Sequence, residues 1–429
     1  MNILLDAFYD LNYGDDLFIE TITGMFPGCK FYSFGECFPS DVITWACKIP
    51  NLYLLPECDV FLGKNMFDAY VCIGGNVFWD KDDYTKRRKR VESVKQVHGP
   101  IIFWGFNLYN SYSEQTQKDI VDLMKDADII APRDNKSADF LNRLLPGKKV
   151  NAMADFAFLS DWKKKSTYSS NGTLGISVRR PEYAEDHDMD QYTSKLQEVI
   201  NVYLEGDNNR SVTLFSLSHG TISDKEVAEE TLSGVTERGR VKHVIYTGDT
   251  GSIKEEIAGC DLMICTRLHA MISCIAMNVP FIPIIYDVKM ENILNELGYR
   301  RNKIYFHNME GILTQLTEFL EEPGNTDRWT LIPENGYVQR TFVMKEQLQI
   351  LLRGNNGREK ITKEDMTDPV CGTKMHLLEY SNHREKDVAT LEAALNQREK
   401  DVATLEAALE NSSLSAKLKR FIKSVFLRR

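Results

Sequence analysis

Short apolar runs alternate with longer amphipathic stretches along most of the chain. MNILLDAF reads as a buried strand, and the loop YDLNYGDD leads from it into a helix, LFIETITGMF. KFYSFG and AYVCIGGN are further strands, the second ending on the pair Gly74-Gly75. YTKRRKRVESVKQV predicts a basic helix with Val91, Val94 and Val97 as a narrow apolar stripe. GPIIFWGFNLY as a strand and loop, helix QKDIVDLMKDA, strand DIIAPRD and helix SADFLNRLL follow, and KKVNAMADFAF closes this part. Wholly apolar strands separated by helices are the mark of a parallel sheet with helical crossovers.

The alternation then pauses in a charged, serine-rich stretch and restarts at LGISVRRP. Helix DQYTSKLQEVINVYLE, strand SVTLFSLS, helix SDKEVAEETLSGVTE and strand VKHVIY come next. DLMICT and VPFIPIIYD are two more strands, with helices between and after them. QRTFVMKEQLQILL predicts a long helix returning toward the first domain. The expected organisation is α/β. A Rossmann-like domain at 1–160 and a linker at 161–173 precede a second Rossmann-like domain at 174–322 and a returning segment at 323–352. The two domains face a cleft, with ligands at the carboxyl ends of the strands.

The last part of the chain has a different pattern. After a linker at 353–383, REKDVATLEAAL occurs at 384–395 and again at 398–409. Val388, Leu391, Leu395, Val402, Leu405 and Leu409 fall on heptad positions, which predicts a short coiled coil over 384–411 and a possible homodimer. Residues 412–429 hold six basic residues and no acid, with Leu414, Leu418, Phe421, Ile422, Val425 and Phe426 available for one apolar face. Such a helix suits an anionic membrane surface; a solvated tail or a partner-docking helix is the alternative.

Bulk properties narrow the class. At 429 residues two domains are expected. A formal net charge of -10 argues against nucleic acid as a partner. The nine cysteines include no CxxC and no cluster of zinc spacing, and several lie in apolar segments, as expected of a reducing cytosol. The N-terminus has no secretion-signal pattern, and no stretch is long and apolar enough to span a membrane. The expected location is cytoplasmic, with the tail allowing peripheral attachment to the cytoplasmic face of the inner membrane.

The most informative segment is CTRLHAMISC, residues 265–274. Arg267 and His269 interrupt an apolar strand-to-helix joint. Thr266 is placed to cap the helix, which would make Arg267 its first residue and His269 its third. A helix N-terminus attracts anions, and a guanidinium adds donors suited to carboxylate or phosphate. The same field opposes protonation of His269, while a bound anion favours it, so this histidine is an acid/base candidate. The alternative is an Arg-His pair that works structurally at a domain seam.

IAGCDLMICTRLHAMISCIAMNVPFIPIIYDVK resembles the C-terminal signature of the polysaccharide pyruvyl transferases. NYGDD at 12–16, the glycine pair at 74–75, APRD followed by Ser137, ADFAF at 154–158 and GISVRR at 175–180 agree in order. The resemblance implies a GT-B-like fold over roughly residues 1–320. It also implies transfer of pyruvate from phosphoenolpyruvate to hydroxyls of a polysaccharide or lipid-linked saccharide, giving a ketal and phosphate. Neither a metal nor a cofactor is needed for this chemistry. Arg267 and His269 would belong to the donor site, His269 protonating the methylene or assisting phosphate departure. Asn12, Gly14 and Asp15 match an Asn-x-Gly-Asp pattern that would shape the cleft or orient an acceptor, or would form only a capped turn. Gly74 and Gly75 permit close approach of a ligand or a tight turn. Arg133 could hold the carboxylate, Arg179 or Arg180 the phosphate, and Lys289 could face the same pocket. His219 follows a strand at the height of the cleft. KRRKR at 86–90 reads as a solvated helix face or a path for an anionic acceptor. The strand end IGGN, where relatives often carry a third glycine, leaves the acceptor open. Competing readings are a nucleotide-sugar glycosyltransferase of the same architecture and a non-catalytic scaffold of a glycan assembly machinery.

Overall fold

The structure is a computed structural model that describes residues 1–353, apart from 36–37, 58, 64, 110, 165–171, 220–222, 302, 323–324 and 334–335. The heptad segment 384–411 and the basic tail 412–429 lie outside the described residues. Both sheets belong to one compact unit, Met1–Thr362.

The first half carries strands β1 (Asn2–Asp6), β2 (Lys30–Gly35), β3 (Leu52–Pro56), β4 (Ala69–Ile73), β5 (Ile101–Trp104) and β6 (Ile129–Ala131). Its helices are α1 (Tyr13–Met25), α2 (Ser40–Ala46), α3 (Asp59–Gly63), α4 (Thr85–Lys95), α5 (Glu114–Met124) and α6 (Asn135–Leu144). The second half carries β7 (Thr173–Ser177), β8 (Ser211–Ser216), β9 (Val241–Ile245), β10 (Leu262–Cys265), β11 (Phe281–Ile285) and β12 (Ile304–Tyr305). Its helices are α7 (Asp186–Glu205), α8 (Asp224–Ser233), α9 (Thr250–Gly259), α10 (Leu268–Met277), α11 (Val288–Glu296) and α12 (Ile312–Glu321), followed by α13 (Tyr337–Arg353).

Among the described residues the strands form two six-stranded sheets, ordered β3-β2-β1-β4-β5-β6 and β12-β11-β10-β7-β8-β9. Every pairing is parallel. Helices cover both faces of such sheets, so the central strands are apolar throughout: AYVCI, LMIC and FIPII are wholly buried. Strand order reverses between β1 and β4 in one sheet and between β7 and β10 in the other. These are the switch points at which loops diverge and leave a crevice.

The two-domain α/β architecture read from the sequence is present. Helix α13 returns to the first half as expected. Its Tyr337 hydroxyl bonds the Arg133 carbonyl, and its Thr341 hydroxyl accepts from Ala154 N at 2.7 Å. Strands β3, at the edge of its sheet, and β12, only two residues long, were not read from the sequence. Among the described residues no helix is long and apolar enough to cross a membrane.

The basic run 86–90 is not a wholly solvated face. Arg87 and Arg90 turn inward onto Asp6 at the end of β1, at 2.8 and 3.5 Å, and Arg90 also pairs with Glu57. Tyr70 donates to Asp6 at 2.7 Å. Burial opposes the Asp6 charge, but Arg87 and Arg90 outweigh it and hold the carboxyl at about 2. The cluster fixes α4 across the carboxyl end of the sheet. Replacing Asp6 by Asn would leave two buried guanidiniums short of a counter-charge. We expect a loss of about 3–5 kcal/mol in urea unfolding at pH 7. Because the native carboxyl titrates below the ordinary value, the stabilisation is full above about pH 4 and fades as pH falls toward 2.

Candidate active site

Helix α1 starts in the loop after β1, at the first switch point. Asn12 caps it, its side chain accepting from Gly14 N at 3.0 Å. The loop is tied to the second half by backbone bonds, Tyr13 N to Leu217 O at 2.9 Å and His219 N to Leu11 O at 3.1 Å. Further along α1, Tyr13 meets Ser273 of α10, and Asp16 accepts from Tyr246 at 2.7 Å. Helix α1 is therefore the clasp between the two halves.

Helix α10 starts at the second switch point, directly opposite. Its N-cap is Arg267, without a side-chain capping bond, so His269 is its second residue. The expectation that Thr266 caps this helix is corrected. The Thr266 hydroxyl is turned into the core, 2.8 Å from the Tyr192 hydroxyl, and Ser177 Oγ receives the Arg267 N–H instead. The His269 ring lies on the first turn of α1 and meets Phe18 edge-on at 5.0 Å between centroids. A Cβ on residue 14 would fall 1.7 Å from His269 Nδ1. Only glycine allows this contact.

Around these two helix starts lies a cleft of about 240 Å³. Asn12, Gly14, Asp15, Gly75, Arg133, Arg179, Arg267, His269 and Lys289 all line it. Gly74, at φ +142°, shapes the turn after β4, and Gly75 lets the Arg133 guanidinium lie 3.0 Å from where a Cβ would stand. Arg180 and His219 lie elsewhere. Arg180 pairs with Asp186 at 2.7 Å on the outer surface, and His219 is exposed and contributes its backbone N–H to the clasp.

Buried carboxylates aim the arginines. Asp224, at the start of α8, binds Arg267 through both Nε and Nη2, with Nε at 2.8 Å. Nη1 is the donor left over. Asp155 accepts from Arg133 Nη1 at 2.9 Å, and Asn107 accepts from Nη2 at 2.5 Å. Asp155 also stands 3.9 Å from His269 Nε2, which has no hydrogen-bond partner. Arg179 and Lys289 flank the Tyr286 ring at 4.6 and 5.5 Å from its centroid. Burial raises the Tyr286 phenol, but Lys289, Arg179 and Arg267 together outweigh this and lower it.

Two proton carriers face this array. The His269 side chain is 15 % exposed; burial, with Arg133, Lys289 and Arg267 nearby, pushes it down to about 4 against the pull of Asp155. Burial pushes Asp15 up to about 6, although the three cations Arg133, Lys289 and Arg267 oppose the rise. At neutral pH His269 is neutral and a measurable fraction of Asp15 is protonated. The arrangement can bind a small polyanion on oriented N–H donors and move protons beside it.

The family model for polysaccharide pyruvyl transferase matches residues 12–288, well over half of the chain, and ends beside Lys289. The chain belongs to the polysaccharide pyruvyl transferase family. No curated protein sequence matches it. Among solved structures it is similar to the UDP-GlcNAc 2-epimerase of Methanocaldococcus jannaschii, at TM-score 0.55 and 13% identity over 82% of this chain and 99% of that one. A putative UDP-N-acetylglucosamine 2-epimerase from Listeria monocytogenes gives TM-score 0.54 and 11% identity over 84% and 99%. Anabaena Alr3699/HepE in complex with UDP and glucose gives 0.52 and 11% over 82% and 99%. At these identities the likeness is one of fold.

For this family member, sequence reasoning missed Asp224, Asp155 and Tyr286 as parts of the site. ADFAF and the Tyr-Asp-x-Lys end pointed at two of them. Asp224 gave no signal, since it reads as an ordinary acidic residue in the first turn of a helix.

Two predictions follow from the packing and the titrations. Gly14→Ala forces the His269 ring off α1 and should cost about 1–3 kcal/mol of stability, with the His269 ring resonances displaced in NMR spectra. The pH dependence of stability should shift in opposite senses in two variants. The unfolded state binds more protons at His269, so His269→Gln should gain relative to wild type as pH falls from 6.5 toward 4. The folded state holds the proton more tightly at Asp15, so Asp15→Asn should gain relative to wild type as pH rises from 4 through 6. Urea midpoints measured across pH 4–7 check both slopes.

Proposed function

We propose that the chain transfers pyruvate from phosphoenolpyruvate to two hydroxyls of a polysaccharide or lipid-linked saccharide, forming a cyclic ketal and releasing phosphate. The observation that carries this reading is the convergence of Arg133, Arg179, Arg267 and Lys289 with His269 and Asp15 on one small cleft. The proposed donor bears a carboxylate and a phosphate, which need several directed donors, and oriented arginine edges supply them.

In this reading Asp15 protonates the methylene carbon of the donor, giving an oxocarbenium-like centre at C2. A sugar hydroxyl attacks C2 and neutral His269 accepts its proton. The second hydroxyl then displaces phosphate, which leaves with the remaining proton. Asp15 is favoured as the acid because its carboxyl lies near neutral pH, whereas imidazolium at His269 is scarce before an anion binds. Arg267, fixed by Asp224, and Arg133, fixed by Asp155, hold the donor anions. The nucleotide-sugar reading draws only on fold likeness to proteins at 11–13% identity.

The test is phosphate release from phosphoenolpyruvate with a panel of polysaccharide fragments. Release should require an acceptor and fall about 10²–10⁴-fold in His269→Ala, Arg267→Ala and Asp15→Asn. In kcat/KM against pH, the limb near 6 should disappear in Asp15→Asn, while any limb due to the donor itself persists. Unchanged release in the His269 and Arg267 variants sinks the proposal.

A further inference from the structure

The cleft has a second, chemically different wall. Phe8 and Trp79 line it, yet are 51% and 41% exposed. They stand on the loops that leave β1 and β4, adjacent strands at the first switch point.

The Trp79 loop is held at successive residues. Arg87 donates to Val77 O at 2.7 Å, Tyr112 to Phe78 O at 3.0 Å and Tyr84 to Trp79 O at 2.6 Å. Ser113 donates twice to Asp80, each at 2.8 Å, and Lys81 N to Thr116 at 2.9 Å. The indole itself is propped by Tyr109, with ring centroids 5.7 Å apart. Its exposure is thus built in. The Tyr109 hydroxyl accepts from Asn76 Nδ2 at 3.0 Å, and Asn76 Oδ1, at the cleft wall, is buried with no partner. Turning the amide over exchanges the two atoms and still leaves one for a ligand.

We propose that Phe8, Trp79 and Asn76 form the acceptor subsite and that its occupant is a pyranose ring of the glycan. A pyranose has one face of polarised C–H bonds, which suits the negative face of an aromatic ring. Its hydroxyls both donate and accept, which suits the unpaired amide atom of Asn76 in either orientation. The subsite lies beside Asp15 and His269, where a hydroxyl must lose its proton; in this respect the inference rests on the pyruvyl-transfer reading.

The full-length chain should be titrated with the methyl pyranosides of glucose, galactose, mannose and N-acetylglucosamine, with uridine as control. Saturation-transfer NMR reads which ligand protons touch the protein. Transfer to the ring C–H protons of at least one glycoside is expected. Affinity should fall about fivefold in Trp79→Ala and in Phe8→Ala, and be largely kept in Trp79→Phe. Phosphoenolpyruvate affinity should stay unchanged in Trp79→Ala. Melting curves check folding, and Phe8→Ala decides the matter if Trp79→Ala does not fold. Equal glycoside binding in the folded aromatic variants, no glycoside binding by wild type, or uridine taking the site instead would each overturn the proposal. The assay needs neither donor nor turnover. A chain that binds glycosides here but releases no phosphate would strike the pyruvyl-transfer reading and leave the subsite standing.

Discussion

The structure depends on two helix N-termini meeting at close range. Helix α1 begins at one switch point and α10 at the other, and the ring of His269 lies where a side chain on residue 14 would be. Each N-terminus carries partial positive charge, so their approach is unfavourable unless anions stand near. Asp15 in the first turn of α1, ionised for the most part at neutral pH, supplies part of that compensation. A bound anion would supply the rest. The contact that joins the two halves and the place that attracts a polyanion are thus one feature.

The arginines around this joint are not free positive charge. Arg267 is bound by Asp224 and Arg133 by Asp155, and both acids are buried. A buried guanidinium without a partner would cost several kcal/mol and would swing toward solvent. The carboxylates make the buried positions tolerable and leave selected N–H edges for a ligand. The cleft is accordingly an array of aimed donors with modest net charge. That fits recognition by geometry better than attraction by field alone.

Much of this was legible in the sequence because period and polarity are local. The apolar runs gave the central strands, and the interruption at Arg267 and His269 marked the joint. What was not legible depends on partners far along the chain. Arg87 and Arg90 look like a solvated basic face until β1 brings Asp6 beneath them, some eighty residues away. Asp224 looks like a helix-start acid until β10 places Arg267 against it. Thr266 looks like a cap until α7 offers Tyr192. Arg180 and Arg179 are adjacent, and only the turn after β7 decides that Arg179 faces the cleft and Arg180 the surface. His219 has the right height but the wrong direction, since the clasp uses its backbone N–H and leaves its ring exposed.

The same burial does opposite things to the two proton carriers. It disfavours whichever form is charged, so it lowers His269 and raises Asp15. The free chain therefore holds a neutral imidazole and a partly protonated carboxyl on the lining of one cleft at neutral pH. Neither residue needs a dedicated device for this; one desolvated cleft sets both. A bound polyanion would raise both groups further and favour the protonated form of each. Anion binding and the protonation of both groups are coupled through that field. Solved structures at 11–13% identity share the fold, so the chemistry must come from what the loops place in it. Here that is two half-buried titratable groups, Asp15 and His269, at two helix starts whose close approach a glycine permits.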